Sequence, residues 1–353
     1  MKLRYVLLGA ILIASSCSSD SESEAGDTAT STTTVVVEAE ESTTTSEPTP
    51  PSTTATTVPL PVAPYTGLPF DGDEAALSRP AVVVKVDNHP RARPQTGLDR
   101  ADMVIELRAE GVTRFMAVYH SDLPEPVGPV RSARTSDFDL LTALNEPAFA
   151  YSGANAIVDR GLGALPIYAR FENRTDFFRA RNRNAPHNLY VNPAGMQAAL
   201  PEDAQAPEPW FTFADLDTVI EQGRAISGDV TVVFQGSPLV RYRWDNEIQG
   251  WLRTQDGATH STENGDQLAP ANVVILETRY GVSRADAASP ELVSVGFGSA
   301  TVLTAGRVVK GTWSRTDNTQ PPEISDIDGR PIVIAPGQTW VEWPDRSVIV
   351  PES

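Results

Sequence analysis

From about residue 65 onward, apolar residues fall into short runs bounded by Gly, Pro, Asn and Asp clusters, the signature of strands and short helices rather than long helices. Ala81–Val86, Met103–Leu107 and Arg114–His120 are rich in Val, Ile and aromatics and are expected as strands. Asp137–Leu144 is expected as a helix: Ser136 can cap it, Asp137 and Asp139 suit its positive end, and Phe138, Leu141 and Leu144 share a face. Ala148–Tyr151 predicts a short strand. Asn155–Leu162 and Pro193–Leu200 predict helices, the second with Asn192 as cap and Pro193 at its first position. This mixture predicts an α/β or α+β domain over 65–205.

Beyond that point the pattern changes. Asp229–Gln235, Leu239–Trp244, Gly250–Thr254, Asn272–Glu277, Ala300–Thr304, Val308–Ser314, Pro331–Ile334 and Thr339–Trp343 are expected as strands between turn pairs such as Asp256-Gly257 and Asp328-Gly329. A mostly antiparallel β domain over 206–353 follows. The linker-like stretch from Pro201 to Pro209 places the boundary near 205, and all six tryptophans lie after it. Trp244, Trp251, Trp340 and Trp343 suit either a β core or a platform for sugar rings.

The amino terminus reads differently. Lys2 and Arg4 precede an apolar stretch, Tyr5–Ile13, then Ala14-Ser15-Ser16-Cys17. A basic start, a short apolar run and small residues make a secretory signal over 1–16. A cut just before a cysteine resembles the bacterial lipoprotein signal, which implies acyl chains such as palmitate on Cys17. Each buried CH₂ of such a chain adds ~0.8 kcal/mol of membrane affinity. Residues 18–64 hold no Lys or Arg and are dominated by Ser, Thr, Glu, Val and Pro. Such a segment buries too little apolar surface to offset chain entropy, so 17–64 is expected as a disordered tether.

Charge and cysteine count exclude several chemistries. The formal net charge is −18, so nucleic acid is not an expected partner and any anion site must be a local arginine cluster. Cys17 is the single cysteine, which removes disulfides, thiolate metal sites and cysteine nucleophiles. No short His-x-x-x-His spacing exists, so neither a metal nor another cofactor is expected.

Polar residues concentrate in four early segments: Asp87-Asn88-His89-Pro90-Arg91-Ala92-Arg93-Pro94, Glu106 to Arg114, Gly128-Pro129-Val130-Arg131-Ser132-Ala133-Arg134, and Ala185-Pro186-His187-Asn188-Leu189-Tyr190. Together with Tyr65-Thr66-Gly67-Leu68-Pro69, Tyr242-Arg243-Trp244, Asn272-Val273-Val274-Ile275 and Gly311-Thr312-Trp313, their order and wording resemble the YerB-like bacterial lipoprotein family. The resemblance spans roughly 65–345. It implies two domains of unknown function on a lipid anchor, and it brings no reaction or ligand with it.

Function is therefore argued from residues. Arg131 and Arg134 precede the expected helix start at Ser136, where unpaired N–H groups and a positive dipole end favour a phosphate or carboxylate. Gly128 and Pro129 would turn the backbone tightly into this site. Arg91, Arg93 and Arg114 join if the strands bring them together. The competing arrangement is a structural network of Arg114, Arg131 and Arg134 with Glu106 and Glu110. His89 and His187, beside Asn88 and Asn188, are candidate proton-transfer or hydrogen-bonding groups in loops. Glu106 and Glu110 would sit ~13 Å apart on one strand, too far for glycoside hydrolysis unless a turn at Gly111 shortens the gap. Ser132 with His187 and an Asp would make a hydrolase triad, but no Gly-x-Ser-x-Gly elbow surrounds Ser132.

Two functions follow. The first is an exported module, anchored to the cell membrane by lipid and facing the envelope exterior, that recognises an anionic group of a cell-wall polymer, lipid-linked precursor or envelope protein. The alternative is an envelope hydrolase or phosphotransferase, with Arg131 and Arg134 holding a phosphate while His89 or His187 moves a proton. The sequence offers no clear nucleophile, which ranks binding first.

Overall fold

Strands dominated by apolar residues on both sides must be covered on both faces. Val82–Asp87 is buried along its whole length, and so is Thr113–Tyr119, although each carries charge, Lys85 and Asp87 in the first and Arg114 in the second. The computed structural model describes residues 59–351 apart from 172–174 and 238, so the expected signal peptide, Cys17 and most of the expected tether lie outside the described residues. The tether's last residues are already part of the body: Phe70 N–H donates to Pro61 O at 2.7 Å, and Ala63 is buried.

An eleven-stranded sheet organises the molecule. Its order is 323–326, 307–315, 296–304, 272–276, 339–342, 103–108, 113–119, 82–87, 148–151 and 168–171, with 224–225 paired to 307–315. The join is central. Thr339–Glu342 lies parallel to Met103–Arg108, with Thr339 opposite Met103 and Glu342 opposite Glu106. The two halves of the sequence thus share one sheet, and the described residues from 59 to 351 pack as one unit. The passage from 201 to 209 is tied down: Ala204 and Pro207 are buried, and Asn145 Nδ2 donates to Ala206 O at 2.6 Å.

Alternation along the strands sends side chains into two cores. Val83, Met103, Ile105, Met116, Phe149 and Val274 face helices Phe138–Thr142 and Ala156–Leu162. Val82, Val84, Val104, Phe115, Ile275 and Trp340 face a second sheet, ordered 258–259, 250–255, 239–245, 230–233 and 347–349, through Val230, Val240, Tyr242 and Trp251. The early half is α/β, and the later half is largely antiparallel, with the parallel pairing of 272–276 to 339–342 as an exception.

Several expectations need correction. Residues 331–334 form isolated bridges and no strand, since Pro331 has no N–H to donate. Asn155 caps its helix by accepting from Ile157 N and Val158 N, whereas Asn192 makes no side-chain cap bond. Ser136 is not a cap: it is buried, donates to Pro290 O and accepts from Leu292 N, docking the 280–292 hairpin. Trp251, Trp340 and Trp343 are fully buried and Trp244 packs half-buried against the same core, so the four form no sugar platform.

Candidate functional site

Sheet parity divides the candidate residues into two clusters. Glu106 and Thr113 project to the face of Val104 and Phe115, while Lys85, Asp87 and Arg114 project to the face of Val83 and Met116. Glu106 and Arg114 therefore sit on opposite faces of the sheet and cannot pair.

On the first face lies a dry polar network. Arg253, without exposure, donates from Nη2 to Glu106 Oε2 at 2.5 Å and from Nε to the Tyr242 hydroxyl at 3.1 Å. Its guanidinium lies 4.8 Å from the Trp340 ring centre. Thr113 Oγ1 and Asn88 Nδ2 donate to Glu106 Oε1, and Tyr242 donates to Glu342. Asn88 Oδ1 accepts from Arg93 Nε at 3.0 Å and Gln95 Nε2 at 3.2 Å. Burial first, then the neighbouring Glu106, pushes the Glu342 carboxyl well above its ordinary value. Burial alone would depress Arg253, but Glu106, Tyr242 and Glu342 outweigh it and raise its pKa. Glu106, Asn88 and Arg93 are thus structural members joining the halves of the chain.

The second face holds the other candidates. Segment 128–134 crosses the ends of two strands: Asp87 N–H donates to Pro129 O, Arg131 N–H to Lys85 O, and Ser152 N–H to Arg131 O. Gly128 is needed for close approach rather than for a turn. A Cβ there would lie 2.9 Å from Leu189 O and 2.9 Å from the Tyr190 ring.

Asp87 is the hub of this face, with 2% of its side chain exposed. Its Oδ2 receives His187 Nδ1 at 2.7 Å and forms an ion pair with Arg131, whose Nε lies 3.2 Å away, and its Oδ1 receives His89 N–H at 2.9 Å. His89 stacks on His187 with ring centres 4.6 Å apart. His89 Nδ1 accepts from Arg91 N–H at 3.1 Å, so the proton of its neutral ring is assigned to Nε2. Burial, then the adjacent His187, holds the His89 imidazole below its ordinary value despite Asp87. Arg91 is exposed, and 26% of the Arg131 side chain reaches solvent.

Beside it, Glu110 gathers the remaining arginines. Gly111, at φ +71°, closes the turn that sets Glu110 next to Arg114. Arg134 reaches both Glu110 oxygens, at 2.6 and 3.1 Å, and Arg114 reaches Oε2 at 2.9 Å. Ser289 Oγ also donates to it, at 2.5 Å. Burial would raise the Glu110 carboxyl, but the bonds from Arg134 and Ser289 and the charge of Arg114 hold it down at about 2. Burial, then Arg134, lowers Arg114 to about 10.

The helix-terminus anion pocket is not made. The expected helix opens as a 3-10 turn at Thr135–Asp137, and Asp137 itself takes Arg134 N–H at 2.8 Å and the buried Lys85 ammonium at 2.6 Å. Burial lowers the Lys85 pKa, with Asp137 opposing. The hydrolase triad fails as well: Ser132 Oγ turns to Ser152 O at 3.5 Å, leaving Asp87 and His187 without a serine. Glu106 and Glu110 belong to different networks, so no glycosidase pair forms. Asn188 holds its own loop, accepting from Arg179 at 3.0 Å and donating to Ala180 O and Arg183 O.

Residue reasoning therefore missed Asp87 and Lys85 as anchors and Arg253 as the partner of Glu106. Lys85 carried a signal, since one lysine inside Val82-Val83-Val84-Lys85-Val86 must be paired if that strand is buried. Among the described residues, no group of three or more His, Cys, Asp or Glu is arranged to hold a metal, and no helix is long and apolar enough to cross a membrane.

Models of a protein family of unknown function, DUF3048, match residues 65–206 with its N-terminal domain and 230–341 with its C-terminal domain. The Bacillus subtilis (strain 168) protein YerB, whose name proposes a lipoprotein, is 31% identical over 294 residues, spanning 79% of this chain and 85% of YerB. The crystal structure of Bacillus subtilis YerB matches with a TM-score of 0.69 at 28% identity, over 82% of this chain and 99% of the crystallised one.

Proposed function

The chain belongs to the YerB-like family with both DUF3048 domains, and from that membership and its Cys17 signal we propose a lipid-anchored extracytoplasmic module that binds an anionic group. The binding face is Arg91, His89, Arg131 and His187. One observation carries the reading: a single buried carboxylate, Asp87, holds both Arg131 and His187. That arrangement fixes both side chains while Arg131 keeps access to solvent and the His187 Nε2 edge stays turned away from Asp87. Arg91 adds a second cation at the surface, so the face is locally positive on an acidic protein.

The guest is a phosphate or carboxylate of a cell-wall polymer, lipid-linked precursor or envelope protein, met outside the membrane that the acyl chains engage. Arg114 and Arg134 support the face but are taken up by Glu110. Binding ranks above catalysis because the Asp87–His187 pair lacks a neighbouring nucleophile.

The test is calorimetric titration of the full-length protein with inorganic phosphate and with glycerol phosphate. Binding that falls about tenfold or more in Arg131→Gln, with folding retained, supports the reading. Equal affinity in wild type and in the Arg91→Gln/Arg131→Gln double variant overturns it.

A further inference from the structure

A separate cavity of about 440 Å³ opens where the early loop 93–94 meets the later hairpin 258–265. It lies against the dry network, away from the Asp87 hub. We propose that it binds a neutral small molecule through a secondary amide. This does not depend on the anion reading and can stand or fall without it.

Two wall residues carry the argument. Gln255 and Thr262 are 2% and 5% exposed, and both line the cavity. Gln255 Oε1 accepts from Asn88 Nδ2 at 3.2 Å and from Arg253 Nη1 at 2.9 Å. Two donors at that atom fix the amide orientation, because a flipped Gln255 would set N–H against N–H. Its Nε2 then has donors to offer and no partner, and Thr262 Oγ1 has none either. Buried polar groups are ordinarily paired, so two unpaired ones in the wall of one cavity point to a guest.

The chemistry of the guest follows from what the wall offers. Gln255 can only donate, since its oxygen is occupied. The Thr262 hydroxyl can accept as well as donate. A secondary amide supplies the complement, a carbonyl for Gln255 and an N–H for Thr262. Charges at the rim cancel internally: Arg93 pairs with Asp256 at 3.3 Å, and Glu263 pairs with Arg183 at 3.2 Å. His260, in the wall, is held neutral, its imidazole depressed by burial and by Arg253. A balanced rim favours an uncharged guest over an ion. Acylated amino sugars and short peptides both carry this group.

The experiment titrates the full-length protein separately with N-acetylglucosamine, glucose and N-acetylalanine methylamide, followed by saturation-transfer NMR. At least one amide probe is expected to bind and glucose is not; whether sugar or peptide binds identifies the source. Thr262→Val, which removes no protein hydrogen bond, is expected to weaken binding about fivefold. Ala258→Trp, filling the cavity from an exposed strand position, is expected to abolish it with an unchanged melting temperature. Silence from both amide probes, glucose binding as well as N-acetylglucosamine, or unaltered binding in either variant would overturn the proposal.

Discussion

The Arg253 network and the Asp87 cluster are built from the same residue types and differ in water. Around Arg253 the charges are fully enclosed by two sheets, and each is met by an opposite charge or a hydrogen bond. Around Asp87 and Glu110 the acids are anchored from within while Arg131 and Arg134 keep about a quarter of their side chains exposed. Desolvation makes the first arrangement expensive to disturb and poor at meeting a guest. The second tolerates change and can exchange solvent for ligand.

That contrast is broken most forcefully at Arg253. Arg253→Met should cost about 3–5 kcal/mol in denaturant unfolding, because Glu106 would be left buried without its cation. Adding Glu106→Gln should recover part of the loss. A single-variant loss no greater than that of a surface ion pair would place water inside the network and erase the distinction. Next comes Glu110→Gln, expected to cost about 1–2 kcal/mol by releasing Arg114 and Arg134.

The Glu110 effect has a pH signature with a definite sign. Folding lowers this carboxyl from 4.5 to about 2, so the ionised form is the one the folded state prefers. Its stabilisation is present in full above about pH 4.5 and fades as pH falls towards 2. The Glu110→Gln protein should therefore show a flatter stability profile than wild type across that window. Parallel profiles would mean that the arginines do not engage Glu110 in solution.

Smaller still is Arg131→Gln, which should shift stability by less than about 1 kcal/mol while removing anion affinity. A large drop in melting temperature would move Arg131 into the structural class alongside Arg253. Cys17→Ala should leave unfolding of the body unaltered and shift the chain from the membrane to the soluble fraction. Persistent membrane association would remove the lipid anchor from the proposal.

Much of the fold was legible because local rules govern it. The strands at 82–87, 103–108, 113–119 and 148–151 lie within a residue or two of where Val, Ile and aromatic runs put them. The short strands 168–171, 189–191 and 347–349 were not readable. Three or four residues carry too little pattern, and strands outside the local window supply their hydrogen bonds, more than a hundred positions away for 347–349. The candidate residues of the four segments fall into two networks on opposite faces of the sheet, and their partners were not readable. A strand buried on both faces has no polar side to mark its orientation, so nothing local says which face Glu106 or Arg114 takes.

Composition and spacing alone thus determined the single cysteine at Cys17, the acidic balance and the strand-rich layout, since each depends on residue identity or near neighbours. Tertiary structure decided that Thr339–Glu342 would lie beside Met103–Arg108 and merge both halves into one sheet. It also decided that Glu106 would be sealed against Arg253 while Glu110, four residues on, would hold Arg134 within reach of solvent. Those outcomes rest on register between distant strands and on the desolvation that register imposes, neither of which is encoded at any single position.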